Sequence, residues 1–138
     1  MTRYWIGIAS RDHVQNGVRG GFLQLGHGKL APVKRLQKGD YIVYYSPRKT
    51  FPDGEPLRAF TAIGMVLDDE PEQVEQTANF HPNRRRVRYL KSREAPIAPL
   101  LPELSFTRER KNWGIVFRRS SVEITEDDFA IIRGAMTR

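Results

Sequence analysis

Hydrophobic residues along this chain recur mostly at every second position in short runs, the period of strands rather than of helices. The clearest run follows a Gly-Asp turn: Gly39-Asp40-Tyr41-Ile42-Val43-Tyr44-Tyr45-Ser46-Pro47. In an extended strand over 40–46, Tyr41, Val43 and Tyr45 share one face and Ile42, Tyr44 and Ser46 the other. Aromatics on both faces before a Ser-Pro stop predict a strand covered on one side that lines a pocket on the other.

The same reading predicts strands over 4–9, 22–25, 59–67, 84–90 and 112–118. The run at 59–67 sets Phe60 and Ala62 against Thr61 and Ile63 and pairs with 40–46 as a long hairpin, across a loop carrying Pro47, Pro52, Asp53-Gly54 and Pro56. Within 84–90, Val87 and Tyr89 alternate with Arg86 and Arg88, which predicts one cationic face. Helical signals are fewer. Ser10 is placed to cap a short helix ending by Gly17, the acidic stretch at 68–78 has room for a helical turn, and Pro96, Pro99 and Pro102 bound a turn or short helix. Near the C-terminus Thr125 with Asp128 makes a capping-box-like start, after which Phe129, Ile132 and Met136 fall on one helical face. Many short strands, few helices and no βαβ rhythm argue against a doubly wound sheet, and an α+β fold is expected.

At 138 residues the chain suits a single domain, 1–138, burying roughly two thirds of its unfolded surface. There are no cysteines, hence no disulfide or thiolate chemistry, and no leader-like or bilayer-length apolar run; a soluble cytoplasmic protein without membrane association is expected. The net charge of +7 is unevenly distributed. Residues 1–60 carry 10 Lys/Arg against 4 Asp/Glu, 61–80 none against 5, and 81–119 carry 11 against 3. Seventeen of the 23 cations are arginine, the residue suited to bidentate phosphate contact and to stacking on bases. A polyanion is the first partner this suggests; the plainer reading of any charge run is a solvated surface.

Familiar catalytic patterns fail on their spacing. The segment 21–26 begins like a phosphate loop but lacks the Lys-Ser/Thr that would hold phosphate and magnesium. Gly26-His27-Gly28-Lys29-Leu30-Ala31 matches the dinucleotide fingerprint, yet Pro32 follows and no helix is expected to open there. His13, His27 and His81 lack metal-ligand spacing, and Ser10 with His13 three residues on reads as helix capping rather than a catalytic pair. Neither a metal, a cofactor nor catalysis is expected.

The segments Tyr4-Trp5-Ile6-Gly7-Ile8-Ala9-Ser10, Gly20-Gly21-Phe22-Leu23-Gln24-Leu25, Gly28-Lys29-Leu30-Ala31-Pro32 and Asn112-Trp113-Gly114, with the 39–47 strand, resemble the EVE domain, a branch of the PUA-like superfamily related to the YTH and ASCH domains. The resemblance covers nearly the whole chain and implies a small, strongly bent β-barrel with short helices at its rim. It also implies binding of a modified or flipped base in DNA or RNA. By comparison with the YTH arrangement, Ser10, Phe22 and Gln24 stand at the pocket mouth and Tyr89 forms a second wall, with Phe22 and Tyr89 where YTH proteins use tryptophan. Tyr44 and Trp113, on separate expected strands, converge on the same slot unless they fill the core, and Ser46 and Asn112 are reserve readers of a base edge. Lys29, Arg84, Arg85, Arg86, Arg118 and Arg119 are the expected phosphate contacts, although Arg84 to Arg86 could equally be a solvated strand edge. The alternative from another class is a small-molecule or nucleotide sensor or enzyme using the same pocket. A carboxylate beside His13 or His27 would favour it.

Overall fold

The computed structural model describes residues 1–137. Its strands are β1 (Tyr4–Ile8), β2 (Phe22–Leu23), β3 (Tyr41–Arg48), β4 (Pro56–Val66), β5 (Glu72–Gln73), β6 (Asn83–Tyr89), β7 (Ala95–Pro96) and β8 (Ser121–Ile124). Three α-helices join them: α1 (Arg11–Gly20), α2 (Leu30–Lys34) and α3 (Glu126–Met136). The strands form one curled, mixed sheet in the order β2-β6-β4-β3-β1-β8, with β5 added to β6 and β7 to β4. Among the described residues only β1 and β3 pair in parallel, Tyr4 opposite Tyr41 through Ile8 opposite Tyr45. Their crossover carries α1, β2 and α2.

The sheet has a core on each face. Ile6, Val43, Tyr45, Phe60 and Ile63 pack beneath Phe129, Ile132 and Met136 of α3. On the opposite face, Trp5, Ile42, Tyr44 and Ala62 pack with Val14 of α1 and Val33 of α2. The facial division of 41–45 is as the alternation predicts, but Ile42 through Ser46 are all buried, so β3 is covered on both faces and lines no pocket with its interior. In β4 the expected alternation breaks at Thr61. Tyr44 pairs with Ala62 and Tyr45 with Phe60, which leaves Thr61 as the extra residue of a β-bulge and puts Phe60 and Ile63 on one face. Its hydroxyl lies 2.8 Å from that of Ser46.

Other expectations are corrected. Residues Trp113–Arg118 form a 3-10 helix, not a strand. The amide of Ile115 turns back to the carbonyl of Asn112, the Trp113 and Phe117 rings meet on one side, and β8 occupies the sheet edge beside β1 instead. The acidic stretch is no helical turn: Glu72 and Gln73 pair with Arg84 and Asn83, folding acid onto the arginine strand. Helix α1 passes through Gly17 and ends at Gly20, with Gly21 left-handed at the cap. A Cβ at Gly17 would sit 2.6 Å from the Phe22 carbonyl oxygen, so this glycine permits close approach of helix and strand rather than stopping the helix. A five-residue helix does open at Leu30 after the glycine pair, although no strand leads directly into it. Thr125 caps α3 by accepting from the Asp128 amide at 3.1 Å, but the Asp128 carboxylate turns to the amide and hydroxyl of Ser105.

Among the described residues no helix is long and apolar enough to cross a membrane.

Candidate functional site

The carboxyl ends of the parallel strands β1 and β3 diverge at a cleft of about 610 Å³. Ile8 and Ala9 lead into it from β1, and Ser10, Asp12, His13 and Asn16 face it from the start of α1. Gln24, Gly26 and His27 contribute from the segment after β2, and Pro47 and Phe51 from β3 and the loop beyond it. Phe117, Arg118, Arg119 and Ser120 close it from the approach to β8. Its volume suits a single base or nucleotide-sized ligand.

Ser10 occupies the N-cap position of α1 but makes no side-chain cap bond; its hydroxyl donates to Asp12 Oδ1, which also accepts the His13 amide at 2.9 Å. Gln24 is almost wholly buried. Its backbone oxygen accepts the Tyr44 hydroxyl at 2.9 Å and lies 3.4 Å from His13 Nε2, while its side-chain Oε1 accepts from Arg84 Nε. At the mouth, the rings of His27 and Phe51 meet edge-on with centroids 5.5 Å apart, and Phe51 is 70% exposed. Below them Phe117 stacks on Tyr45 at 4.2 Å. Burial pushes the Tyr45 hydroxyl up to about 12 against the opposing charge of Arg58, and also raises Tyr44 and Tyr89.

Of the residues expected from the sequence, Ser10, Gln24, Arg118 and Arg119 come together here. Phe22 lies outside the cleft, with the Arg84 guanidinium 3.7 Å above its ring centroid. Tyr44 is core, one hydrogen bond behind Gln24, and Ser46 is fully buried against Thr61. Tyr89 donates to the Phe22 carbonyl at 2.9 Å, and Trp113 packs against Phe117 at 6.2 Å. Trp113 thus stands behind Phe117 rather than in the cleft, and Asn112 is exposed outside it. Lys29 and Arg86 are exposed on the surface, where Arg86 faces Glu72 at 3.4 Å.

Arg85 corrects its expected phosphate role. It has no exposed surface: Nε pairs with Asp68 Oδ1 at 2.7 Å, Nη2 donates to the Asp68 carbonyl at 2.9 Å, and Nη1 donates to the carbonyls of Val33 and Leu36. Arg84 is half-buried and turned toward Gln24 and Gln76. Burial draws its pKa below the ordinary arginine value, with Glu72 opposing.

The sequence reading missed Asp12, Asn16, Phe51 and Phe117, and named His27 for the alternative reading alone. Two signals were available. Ser10, His13 and Asn16 are spaced by threes, a polar stripe on one helical face beside the buried Val14 and Gly17. Phe51 is a large aromatic stranded among the turn-forming residues of the 47–56 loop, where burial does not explain it.

A curled mixed sheet with short helices on both faces is the architecture of the YTH domain. The Mmi1 YTH domain solved with RNA superposes with a TM-score of 0.61 at 10% identity, covering 96% of this chain and 80% of that one. A Pseudomonas putida protein of solved structure gives 0.59 at 13% identity, covering 96% and 98%. The EVE domain profile matches residues 3–135, and the chain belongs to the EVE domain family. A UPF0310 protein of Mycolicibacterium vanbaalenii is 51% identical over 96% of this chain and 91% of its own length. The UPF0310 protein YdcG of Bacillus subtilis is 42% identical over 98% and 92%.

Proposed function

We propose that this EVE domain binds a modified or unpaired nucleobase of DNA or RNA in the cleft beside α1, with Arg118 and Arg119 on the flanking phosphates. One observation carries the reading. A single recess joins base-edge hydrogen-bonding groups (Asp12, Asn16, Gln24), aromatic surface (Phe51, Phe117) and two rim guanidinium groups. The fold it shares with an RNA-bound YTH domain supports the same class of ligand. Stacking falls to Phe51 and Phe117 in place of Phe22 and Tyr89.

The test is a set of DNA and RNA oligonucleotides with modified and unmodified bases, titrated at two salt concentrations. Binding should weaken with salt, with a log–log slope of about −0.7 to −0.9 per phosphate contact, and one base should be preferred. Phe51→Ala should remove about 1 to 3 kcal/mol of base-dependent affinity and leave that slope unchanged. Affinity indifferent to salt and base would overturn the reading.

One observation favours a second reading, a nucleotide-processing enzyme: the Asp12 carboxylate and His13 both line the cleft. Turnover of a nucleoside or nucleotide, abolished by His13→Ala, would select it.

A further inference from the structure

We infer that Arg84 is a positioning residue, which turns the Gln24 side-chain amide so that its Nε2 donates into the cleft and reads an acceptor atom on the bound base. The inference rests on the base-binding reading above and concerns how that site selects its ligand.

The register brings the groups together. β2 and β6 are antiparallel with Phe22 opposite Arg86 and Leu23 opposite Arg85, so the next step sets Gln24 across from Arg84, on the same face as Phe22 and Arg86. Leu23 and Arg85 point the other way and are buried. On the face shared with Phe22 the Arg84 guanidinium carbon lies over the Phe22 ring, 3.7 Å from its centroid, and Nη2 donates to Gln76 Oε1 at 3.1 Å. Its remaining edge is thereby aimed at Gln24.

A guanidinium has only donors, so the amide atom facing it must be the oxygen. Oε1 accepts from Arg84 Nε, and rotation of the amide by half a turn would set N–H against N–H. Nε2 is left without a protein partner among the described residues. It is not an enclosed orphan either, since none of these residues carries a fully buried side-chain nitrogen or oxygen lacking a partner. The amide nitrogen therefore keeps a free face, and Gln24 is itself one of the residues that line the cleft. The Gln24 backbone is fixed independently by the Tyr44 hydroxyl. With both ends of the residue held, the donor is preorganised, and a base presenting a donor at that point would leave two N–H groups opposed.

The arrangement turns Phe22 and Arg84, expected on opposite terms as base platform and phosphate contact, into one support for a third residue. It also needs arginine specifically. Lysine keeps the charge but has no planar fork to lie on Phe22 while gripping Gln24 and Gln76.

Two measurements test this. In the ligand-free protein, the Gln24 side-chain amide proton pair followed by 1H–15N NMR should be dispersed and protected. In Arg84→Lys and Phe22→Leu it should move to the values of a solvent-exposed glutamine such as Gln15, while the backbone spectrum keeps its folded pattern. An unchanged amide pair overturns the inference whether or not any base binds. In the oligonucleotide series, Arg84→Lys, Arg84→Gln and Gln24→Glu should each lower the preference between bases about ten-fold. Gln24→Glu keeps an acceptor for Arg84 but replaces the donor by an acceptor and adds a negative charge, so Gln24→Met, which removes the amide without charge, is measured beside it. Combining it with Arg84→Gln should add little, and the salt slope should stay that of the wild type. Rescue by Arg84→Lys, with a shallower slope and equal losses for every base in Arg84→Gln, would make Arg84 a phosphate contact instead. A wild type that binds no oligonucleotide would remove the proposed function, and the amide spectrum would still decide the role of Arg84.

Discussion

Three consecutive arginines in β6 have three different fates, and strand parity separates them. Arg85 shares its face with Val87 and Tyr89 and goes inward, where it is wholly enclosed with Asp68 and two backbone carbonyls. Arg85→Ala should therefore destabilise the protein by roughly 3 kcal/mol or more, by taking the buried cationic partner from the Asp68 carboxylate and a donor from three backbone carbonyls. Arg86→Ala, at an exposed pair with Glu72, should stay within about 0.5 kcal/mol; chemical denaturation of both variants checks the contrast. The parity was legible in the sequence, since Val87 and Tyr89 mark the inward positions, but a triplet of like charges invites a single role. What the sequence could not convey was Asp68, whose arrival depends on the chain folding back after β4. The buried tyrosines set a pH limit of their own. Burial raises Tyr45 to about 12 and moves Tyr44 and Tyr89 in the same direction, whereas the unfolded chain ionises near 10. Above pH 10 the unfolded state holds fewer protons than the native one, so stability should be intact below that value and fall as pH rises through the folded values. Tyrosinate absorbance should lag until the far-ultraviolet circular dichroism is lost.

At the scale of elements, the strands with clean alternation, β1, β3, β6 and the β3–β4 hairpin, were readable, and so was α3 from its cap and apolar stripe. The 3-10 helix at Trp113–Arg118 was not, because Trp113 and the run Ile115-Val116-Phe117 carry strand propensity, whereas β8 takes the place beside β1 in the sheet. The bulge at Thr61 was equally hidden: an extra residue in one strand is defined by its partner's register. At Gly17 a glycine inside a helical pattern reads as a stop, while its cause is the neighbouring strand. Gly17→Ala should gain the usual helix propensity of about 1 kcal/mol yet lose more by pressing its Cβ on the Phe22 carbonyl, for a net loss of stability. Thermal denaturation beside Gly134→Ala, a helical glycine whose Cβ would meet open space, should show opposite signs.

For the whole molecule, the basic excess evident from composition is redistributed by the fold. The acidic stretch lies along β6, where Asp68 and Glu72 take up Arg85 and Arg86, so the strongest basic block by count is partly neutralised from within. Arg118 and Arg119 stay beside the cleft, and replacing both by Ala should shallow the salt slope of binding by about 1.4 to 1.8, more than Arg86→Ala does. The position of the cleft follows from the two parallel strands that end there, a topology no periodicity announces. Strand β3, with β1 and β4 on either side of it, is the wall common to both cores. Neither core can loosen alone, since freeing one face of Ile42 to Tyr45 strips support from the other, and the two halves must melt as one cooperative unit. The amides of this strand then exchange with solvent only when the entire protein opens. The Phe51 loop follows directly on this strand, so one side of the cleft hangs from the part of the protein that opens last.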